Sequence, residues 1–477
     1  MRYEPVIGLE THVELAAASK VFCSCKAEFG GEPNTHVCPV CLGLPGTLPV
    51  LNRESVAMAL KVCLAMDCDI PEVTIFDRKN YYYPDLPKNY QISQEYEPLA
   101  RNGGLTIVLK DGTEKYIRMH NIHLEEDAGK NFHPTGTPRT LVDLNRASTS
   151  LLEIVSQPDI RGAEECEAYM ETMRSLLRYL EVSDCKMQEG SLRFELNISL
   201  RPAGTEPFGT KVEVKNVGSI KAVLRALDYE IRRQTEILED GGRVIQETRL
   251  WDDDRGETRS MRVKEGAKDY RYFPEPDLVP LRLEKQYLAD LKAHLPELQT
   301  QKRKRFVEQY ELPDYDAGVI VADKYVAEFF ETCCQAHPAP KAFSNWIMVY
   351  ILRELKDEDS DIRELGIKPA HLIELVQLIE KGTINQNIAK KLIAEIIPSG
   401  TMPSVLVKEK CLEVVSDSSE LEKFVDEVIT EQPGPAEDFR NGKDQALNFL
   451  LGQVMRKSRG QATPETVRDM LIQKLRG

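Results

Sequence analysis

The amino-acid sequence predicts an α+β protein in which a region built on β-strands is followed by a helical region. Stretches with apolar residues at every second position recur between Val6 and Asn216, which is the pattern of half-buried strands. Beyond about Glu284 the apolar residues recur at helical spacing, with Gly382 and Pro398-Ser399-Gly400 as helix stops. A length of 477 residues is too great for one hydrophobic core, so we expect several domains.

Composition excludes several classes of protein. With 42% hydrophobic and 29% charged residues, the chain is typical of a soluble globular protein. No apolar run reaches the roughly 20 residues of a membrane span, and the N-terminus lacks a signal-peptide pattern, so we expect a cytoplasmic protein. The net charge of −15 argues against indiscriminate nucleic-acid binding. Residues 452–477 nevertheless carry a net charge of +4, which is compatible with a local basic patch.

The first predicted strand is Val6–Leu15. Apolar side chains alternate along it with the polar side chains of Glu10, His12 and Glu14, which therefore share one face. An ordinary amphipathic edge strand would show the same alternation. The stretch becomes a candidate site only if other chemistry-bearing residues meet it.

Four cysteines form two close pairs, Cys23 with Cys25 and Cys38 with Cys41. Such pairs can place four thiolates at the corners of a tetrahedron, as structural zinc requires. The second pair belongs to a Cys-Pro-x-Cys-x-Gly motif that ends in Gly43, where a turn directs backbone amides at sulfur. Buried free thiols are the alternative, because only one residue separates the first pair. The other cysteines, including Cys63, Cys68, Cys333 and Cys334, lie in helical patterns and are expected in the core.

A helix is predicted over Asn52–Met66, and a segment rich in proline, tyrosine and basic residues follows at Phe76–Gln94. The segment fits neither a helix nor an alternating strand, so we expect it to present side chains to a ligand. Arg78, Lys79 and Lys88 are candidates for binding phosphate oxygens, and a tyrosine could stack on a base. An aromatic loop packed on the sheet is the alternative.

The densest group of chemistry-bearing residues is Ile122–Lys130, which follows the alternating run Tyr116–Leu124. Residues two apart on a strand share a face, so His123, Glu125 and Asp127 are expected to project together. Clustered carboxylates repel one another and lose hydration, so a cation is expected among them, and Mg²⁺ is the simplest candidate. A solvated charged loop is the alternative.

Further strands are predicted at Leu141–Arg146, Ser150–Val155, Lys186–Leu200 and Lys211–Asn216, with a helix over Ala163–Leu180 among them. Glu153 has apolar neighbours on both sides and needs a cation if it is buried. The polar faces of these strands combine carboxylate, guanidinium, amide and ammonium groups. A face that serves only solubility would more typically carry Thr, Ser and Lys.

Residues Gly204–Lys211 nearly match a phosphate-binding loop. Their order ends Gly-Thr-Lys where Gly-Lys-Thr is required, and a strand follows in place of the helix whose N-terminus would bind phosphate. No Gly-x-Gly-x-x-Gly fingerprint occurs. We therefore predict a turn here, and we expect any nucleotide to be held by metal and side chains on a sheet.

The helical region follows Asp269–Pro280, a stretch of aromatic, charged and proline residues. Predicted helices cover Tyr287–Leu298, Lys302–Gln309, Tyr325–Cys334, Ser344–Leu355, Pro369–Lys381 and Asn385–Ile397, and shorter helices run from Met402 to the end. The basic stretch Gly452–Pro464 is interpreted either as a solvated helix end or as a surface that contacts RNA.

Motifs spread along the whole chain resemble the B subunits of bacterial aspartyl/glutamyl-tRNA amidotransferases, the GatCAB complexes. The motifs are Ile7–Leu15, Arg78–Gln94, His123–Lys130, Val142–Arg146, Tyr270–Asp277 and Gly452–Arg456. The resemblance implies a cradle domain at 1–290, with an antiparallel sheet similar to glutamine synthetase and the zinc motif at 23–41. A helical domain at 291–401 and a tRNA-binding tail domain at 402–477 are implied to follow.

The resemblance also implies an activity, that of a glutamine-dependent carbon–nitrogen ligase active in a heterotrimer. ATP would phosphorylate the side-chain carboxylate of Glu or Asp mischarged on tRNA(Gln) or tRNA(Asn), and ammonia would displace the phosphate to give the amide. The amidase, or A, subunit would supply the ammonia through a tunnel, and the small C subunit would tie the two together. No amidase Ser-Lys signature is evident here, so this chain is not expected to release ammonia itself.

Site residues follow from this resemblance and from the chemistry of phosphoryl transfer. Glu10, His12, Glu125 and Glu153 are expected to hold Mg²⁺ and ATP, and Lys79, Lys88 and Arg193 to neutralise phosphate charge. Zinc is found in some members of the family, and since all four cysteines are present here, Cys23, Cys25, Cys38 and Cys41 are expected to bind structural Zn²⁺. Arg456, Lys457 and Arg459 are expected to bind tRNA.

A non-catalytic tRNA-binding scaffold is the main alternative function. Such a scaffold has no need for Glu10, His12, Glu125 and Glu153 on separate strands. The presence of these residues therefore distinguishes the catalytic function from the scaffold. A zinc-dependent regulatory protein, the third possibility, explains only one motif. The choice between Glu-tRNA and Asp-tRNA depends on which mischarged tRNAs the cell makes.

Overall fold

The computed structural model describes residues 3–134, 136–263, 270–355, 361–413, 418–458, 462 and 464–476. The chain divides into two compact units, Met1–Gln299 and Thr300–Gly477. The first unit contains the strands, and the second is helical. The predicted α+β class with a helical C-terminal region is therefore confirmed, whereas the domain boundaries at 290 and 401 stay predictions.

The strands of the first unit are β1 Tyr3–Glu14, β2 Val73–Thr74, β3 Asp77–Asn80, β4 Tyr90–Ser93, β5 Ala100–Arg101, β6 Gly104–Val108, β7 Glu114–Glu126, β8 Lys130–Phe132, β9 Leu141–Asp143, β10 Ser150–Ser156, β11 Leu192–Pro202, β12 Val212–Lys215, β13 Glu247–Asp252, β14 Glu257–Val263, β15 Phe273–Pro274 and β16 Leu281–Arg282. Its helices are α1 Arg53–Ala65, α2 Ala163–Tyr179, α3 Ile220–Glu239 and α4 Lys285–Ala293.

One large sheet organises this unit. Its strand order is β14-β13-β12-β11-β1-β10-β7-β5, and β6 also pairs with β7. The four central strands, β11, β1, β10 and β7, are antiparallel to their neighbours, and among the described strands of this sheet only the β12–β13 pair is parallel. A separate three-stranded sheet, β15-β3-β4, contacts the large sheet through β4 and β7.

Alternation along β1 determines which face of the sheet is covered. Ile7, Leu9 and Val13 are fully buried in one hydrophobic core with residues of α2 and α3, such as Met170 and Val223. Successive side chains of a strand point to opposite faces, so the polar residues of β1 lie on the other face. The helices thus leave one face of the sheet available for polar chemistry.

The segment Phe76–Gln94, predicted to be irregular, contains the paired strands β3 and β4. Its pattern was misleading because polar side chains are buried here. Asp77 is fully buried and accepts a hydrogen bond of 2.8 Å from the backbone amide of Glu95. Such hydrogen bonds satisfy polar groups inside the fold, and the usual alternation of apolar residues is lost.

Other differences concern element ends and undetected elements. The strand predicted from Lys186 begins at Leu192, because a turn with Gly190 at φ +89° precedes it. The strand predicted at Leu141–Arg146 ends at Asp143, whose carboxylate accepts a hydrogen bond of 3.0 Å from the backbone amide of Asn145. The helix α3 was not predicted from the sequence, nor were the strands β13 and β14, which extend the sheet beyond β12.

The helices from residue 299 onward are α5 Gln299–Tyr310, α6 Asp314–Val321, α7 Lys324–Ala336, α8 Pro340–Trp346, α9 Pro369–Glu380, α10 Gln386–Ser399, α11 Pro403–Glu409, α12 Ser418–Glu431, α13 Pro433–Arg440, α14 Gln445–Lys457 and α15 Pro464–Arg476. A π-helical turn, Ile347–Ile351, follows α8, so the single helix predicted at Ser344–Leu355 is divided. Short 3₁₀ turns lie at Leu352–Glu354 and Ile362–Glu364.

Two hydrophobic clusters stabilise the helical unit. One contains Phe306, Phe330 and Leu392, and the other contains Phe439 and Leu471. Within the described ranges, no helix is both long enough and apolar enough to cross a membrane.

We predict that Leu9→Ala lowers the free energy of unfolding by about 2–5 kcal/mol, because Leu9 is fully buried and the substitution leaves a cavity. Leu250→Ala is the matched control, since Leu250 is 40% exposed, and its effect should stay within about 0.5 kcal/mol. Urea denaturation of both variants checks this. Equal losses would contradict the described packing of β1.

Candidate functional site

A row of directly opposed residues crosses the four central strands on the polar face. Arg193 of β11 lies opposite His12 of β1, His12 opposite Glu153 of β10, and Glu153 opposite His123 of β7. Opposed residues of antiparallel strands project to the same face with neighbouring Cβ atoms. Four residues that are far apart in sequence are therefore brought side by side.

Glu153 is the centre of this row. Its Oε2 atom lies 3.1 Å from Nε2 of His123 and 3.3 Å from Nε2 of His12. The same His123 nitrogen lies 3.6 Å from Oε2 of Glu125. The two imidazoles are the partners that a buried Glu153 was expected to need.

Charges in the row influence one another strongly. Burial lowers the pKa of His123, but the charge of Glu153 and hydrogen bonds to Glu125 and Glu153 outweigh it and raise that pKa to about 10. Burial raises the pKa of Glu153, yet the charges of His123 and His12 hold it well below its usual range. Burial lowers the pKa of His12, but the charge of Glu153 outweighs it, so that pKa is raised too. The two imidazoles therefore both stabilise the ionised carboxylate of Glu153.

Glu125 connects the row to the small sheet. Its Oε2 atom accepts a hydrogen bond of 2.8 Å from the Ser93 hydroxyl of β4. On the adjacent strand β3, burial lowers the pKa of Lys79, but the charges of Glu125, Tyr272 and Glu153 outweigh it, so that pKa is raised. The Lys79 ammonium also lies 5.3 Å from the ring centroid of Tyr270. Lys79 is thus placed where it interacts with both carboxylates.

Lys88 is engaged with a different carboxylate. Its ammonium donates a hydrogen bond to Glu126, whose side chain is buried and also accepts a hydrogen bond of 2.8 Å from the amide of Ile92. The aliphatic part of the Lys88 side chain passes close to Gly43, which follows the second cysteine pair. A Cβ atom added at Gly43 would lie only 2.3 Å from Cγ of Lys88. Gly43, at φ +65°, is therefore needed for this approach.

The two-residue spacing predicted that Asp127 projects together with His123 and Glu125. This prediction was wrong, because β7 ends at Glu126 and Asp127 lies beyond it. Its carboxylate accepts a hydrogen bond of 2.7 Å from Arg193 and lies 3.5 Å from Nε of Arg146. Burial raises the pKa of Asp127, but the two guanidinium groups outweigh it, so that pKa is lowered. Burial and the nearby Asp127 raise the pKa of Glu14 to about 8. Arg193 therefore forms a second charged group with these residues.

Glu10 belongs to a third group. One carboxylate oxygen from each of Glu10, Glu195 and Glu213 lies within 4.8 Å of the others. Lys215 donates a hydrogen bond of 2.6 Å to Glu195 and lies 3.2 Å from Glu213. Burial, then the charges of Glu153 and Glu195, raise the pKa of Glu10. The structure therefore separates Glu10 from the group formed by His12, Glu125 and Glu153, although Glu10 and Glu153 still interact electrostatically.

Five further residues of these groups were not selected from the sequence: Glu14, Arg146, Glu195, Glu213 and Lys215. The signal that could have found most of them was present, since four occupy polar positions of predicted alternating strands. Their grouping depends on which strands are neighbours. Alternation gives the face of a residue but not its cross-strand partner.

Two cavities lie at opposite ends of the polar face. One has a volume of about 290 Å³ and is lined by Glu10 and Asn197 together with Val6, Phe208 and Lys211. Residues Gly204–Lys211 form the turn predicted for them and contribute to its wall. The other has a volume of about 500 Å³ and is lined by residues that include Glu14, Phe29, Lys130 and Arg146.

The four cysteines converge as their spacing predicts. The Sγ atoms of Cys23, Cys25, Cys38 and Cys41 all lie within 4.8 Å of one another. The backbone amide of Cys38 donates a hydrogen bond of 3.1 Å to the sulfur of Cys41, so an amide points at sulfur as expected. A hydrogen bond with the Cys23 thiol lowers the pKa of Cys41 to about 4. The cluster has the number, type and proximity of ligands that a tetrahedral metal centre requires.

The basic residues of the tail are placed differently from one another. Lys457 lies 2.5 Å from Glu427 and 2.7 Å from Glu431, and so its charge is balanced within the unit. Arg456 is exposed and forms no ion pair with any residue that the structure describes. Arg459 lies outside the described residues. Arg456 is therefore the better candidate for contact with an external anion.

Comparison with protein families defines the class of this protein. Residues 5–289 match the GatB/GatE catalytic domain, and residues 328–475 match the GatB domain. The first match covers the large sheet with its polar face and the cysteine cluster.

Full-length relatives define the family more closely. The chain is 52% identical over 476 residues to the B subunit of the aspartyl/glutamyl-tRNA(Asn/Gln) amidotransferase of Carboxydothermus hydrogenoformans, with 99% of each chain covered. Proteins of the same name from Moorella thermoacetica and Persephonella marina are 51% and 49% identical, with 100% of each chain covered. The chain belongs to the family of aspartyl/glutamyl-tRNA(Asn/Gln) amidotransferase B subunits.

We predict that Lys88→Met lowers the free energy of unfolding by about 3–5 kcal/mol, because Glu126 would keep a buried charge without its cation. Lys110→Met is the matched control, since Lys110 and its partner Glu167 are 79% and 40% exposed and such pairs contribute at most about 1 kcal/mol. Chemical denaturation of both variants measures the difference. A loss for Lys88→Met no larger than the control's would contradict a buried ion pair.

Proposed function

We propose that this chain activates the side-chain carboxylate of a glutamate or aspartate carried on tRNA(Gln) or tRNA(Asn). ATP transfers its γ-phosphoryl group to the carboxylate, and ammonia then displaces phosphate to give the amide. Membership of the amidotransferase B-subunit family supports this function. The observation that carries it is the polar face of the central strands, where His12, Glu125 and Glu153 lie together and the charges of Glu125 and Glu153 act on Lys79.

The chemistry explains why such a face is needed. A carboxylate is a poor acylating agent, and its phosphorylation requires two anionic groups to approach each other. Preorganised cations reduce this repulsion and stabilise the charge of the transition state. Lys79 is positioned to do so beside Glu125, and Arg193 lies at the other end of the row.

The donor sets on this face fit divalent cations. Glu10, Glu195 and Glu213 supply only oxygen, which Mg²⁺ prefers, whereas His12 adds an imidazole to Glu125 and Glu153. Bound Mg²⁺ would supply charge neutralisation for phosphate oxygens. His12 also orients Glu153, with which it is in contact, whether or not its nitrogen coordinates the ion directly.

The smaller cavity is a suitable place for ATP. Val6 and Phe208 provide apolar wall for a base, and Lys211 provides a cation at the rim. Glu10 lines the same cavity and belongs to the all-oxygen group, so phosphates bound there would lie beside a metal site. The larger cavity, lined by Arg146 and Lys130, is the candidate for the aminoacylated end of the tRNA.

The complete reaction requires partners. We propose that the chain works in a cytoplasmic heterotrimer with an amidase (A) subunit, which supplies ammonia from glutamine, and with a small third (C) subunit. The four-cysteine cluster binds one structural Zn²⁺ in this proposal, since its donor set is typical of such centres. A non-catalytic scaffold is less well supported, because grouped and buried carboxylates are costly without a chemical use.

We predict that Glu125→Gln slows ATP-dependent amide formation about 30- to 1,000-fold, equivalent to about 2–4 kcal/mol of transition-state stabilisation. The substitution preserves shape but removes a charge beside Lys79. The assay follows ADP and amide formation on Glu-tRNA(Gln) and Asp-tRNA(Asn) by the assembled complex, beside glutaminase activity and tRNA binding.

Glu114→Gln is the control for this variant, because Glu114 lies on the same strand but is exposed. It should react at the wild-type rate. If Glu125→Gln also forms amide at that rate while glutaminase activity persists, the assignment of Glu125 to the phosphoryl-transfer step is wrong.

We predict that Arg456→Ala raises the Michaelis constant for charged tRNA and reduces the slope of log affinity against log salt by about 1, as loss of one phosphate contact should. Lys443→Ala is the control, because Lys443 already forms an ion pair of 2.9 Å with Asp438. Point variants are preferable to deletion of the tail, which would remove the buried Leu471 and Leu475. Unchanged salt dependence in Arg456→Ala would refute this contact.

A further inference from the structure

Lys20 is a fully buried lysine for which the proposed reaction gives no role. Its side chain has 0% exposure and lies among the largest fully buried side chains of the described structure. It follows β1 in the chain and precedes the first cysteine pair. Its ammonium donates hydrogen bonds to the carbonyl oxygen of His36, at 2.7 Å, and to the sulfur of Cys41, at 3.8 Å.

These contacts do not include a carboxylate. Among the described residues, no acidic side chain forms an ion pair with Lys20. An ammonium that is removed from water without a negative partner is strongly unfavourable. The His36 carbonyl is neutral, so the negative charge that balances Lys20 has to reside on sulfur.

The cysteine cluster supplies that charge when it holds a metal. Four thiolates around one divalent ion leave a net charge of −2, which a single neighbouring cation halves. Cys41 is the buried cysteine of the cluster, with 2% exposure. Its sulfur also accepts the hydrogen bond from the backbone amide of Cys38. Two donors thus converge on the thiolate that is furthest from solvent.

Lys20 also connects the two chain segments that contribute the cysteine cluster. Its backbone amide donates a hydrogen bond of 3.0 Å to the carbonyl of Cys25, while its side chain reaches His36 and Cys41. One residue therefore contacts segments that contribute both cysteine pairs. Partners of this kind orient metal ligands and typically change metal affinity 10- to 100-fold when they are removed.

We propose that Lys20 is the counter-ion of the zinc–thiolate centre and the positioning residue for Cys41. The proposal rests on the proposed binding of zinc by the four cysteines, but not on the amidotransferase reaction. Lys20 contributes in two ways, by charge and by a hydrogen bond to the Cys41 thiolate. Zinc should therefore be retained more weakly when either the charge or the whole ammonium group is lost.

The test measures zinc release to a chromogenic chelator from the purified full-length chain, with zinc content determined first. Lys20→Met removes charge and hydrogen bonds, whereas Lys20→Gln keeps hydrogen-bond donors but removes the charge. Lys26→Met is the matched control, because Lys26 is 71% exposed. We expect about 10- to 100-fold faster release from both Lys20 variants and an unchanged rate from the control.

A spectroscopic readout separates this role from simple cross-linking of the loop. In the cobalt-substituted protein, the thiolate-to-metal charge-transfer bands should shift in both Lys20 variants, because the positive charge beside the Cys41 sulfur has been removed. If Lys20→Gln released zinc at the wild-type rate and its charge-transfer bands were unshifted, the proposal would be overturned. Lys20 would then contribute only a structural hydrogen bond. Wild-type chain without zinc would overturn the zinc assignment as well, and neither result depends on amide formation.

Discussion

The contact of Glu153 with two histidines depends on the antiparallel register of β1, β10 and β7. In that register His12, Glu153 and His123 lie directly opposite one another. A shift of one residue in either pairing would turn one set of side chains toward α2 and α3 and would bury charges in the apolar core. Packing of the opposite face, including Leu9, therefore fixes the site as firmly as the polar contacts do.

Charge balance extends this arrangement across the sheet. Glu153 is balanced by imidazoles, Asp127 by Arg193 and Arg146, and the Glu195 group by Lys215. Each group keeps carboxylate oxygens close together at a moderate net charge. In the proposed reaction, phosphate and metal would meet groups that are already positioned, which would limit reorganisation.

Much of this site could be predicted from the sequence because alternation is a local property. Alternation placed Glu10 and His12 on a polar strand face, the apolar neighbours of Glu153 indicated that it needs a cation, and the cysteine spacing predicted a cluster. Neither could assign Glu10 to Glu195 and Glu213, because that grouping requires β1 to lie beside β11, a long-range pairing. The strands β3 and β4 were missed for a different reason: their buried residues include hydrogen-bonded polar side chains, which hide the usual pattern.

Phosphorylation of the side-chain carboxylate before its amidation is the central claim about this protein. The direct measurement uses Glu-tRNA(Gln) labelled with oxygen-18 in both side-chain carboxylate oxygens, given to the assembled complex with ATP and glutamine. Acyl-phosphate formation transfers one labelled oxygen to phosphate for every amide formed. We expect inorganic phosphate to carry this label in amounts equal to the amide, and unlabelled phosphate beside normal amide formation would contradict the claim.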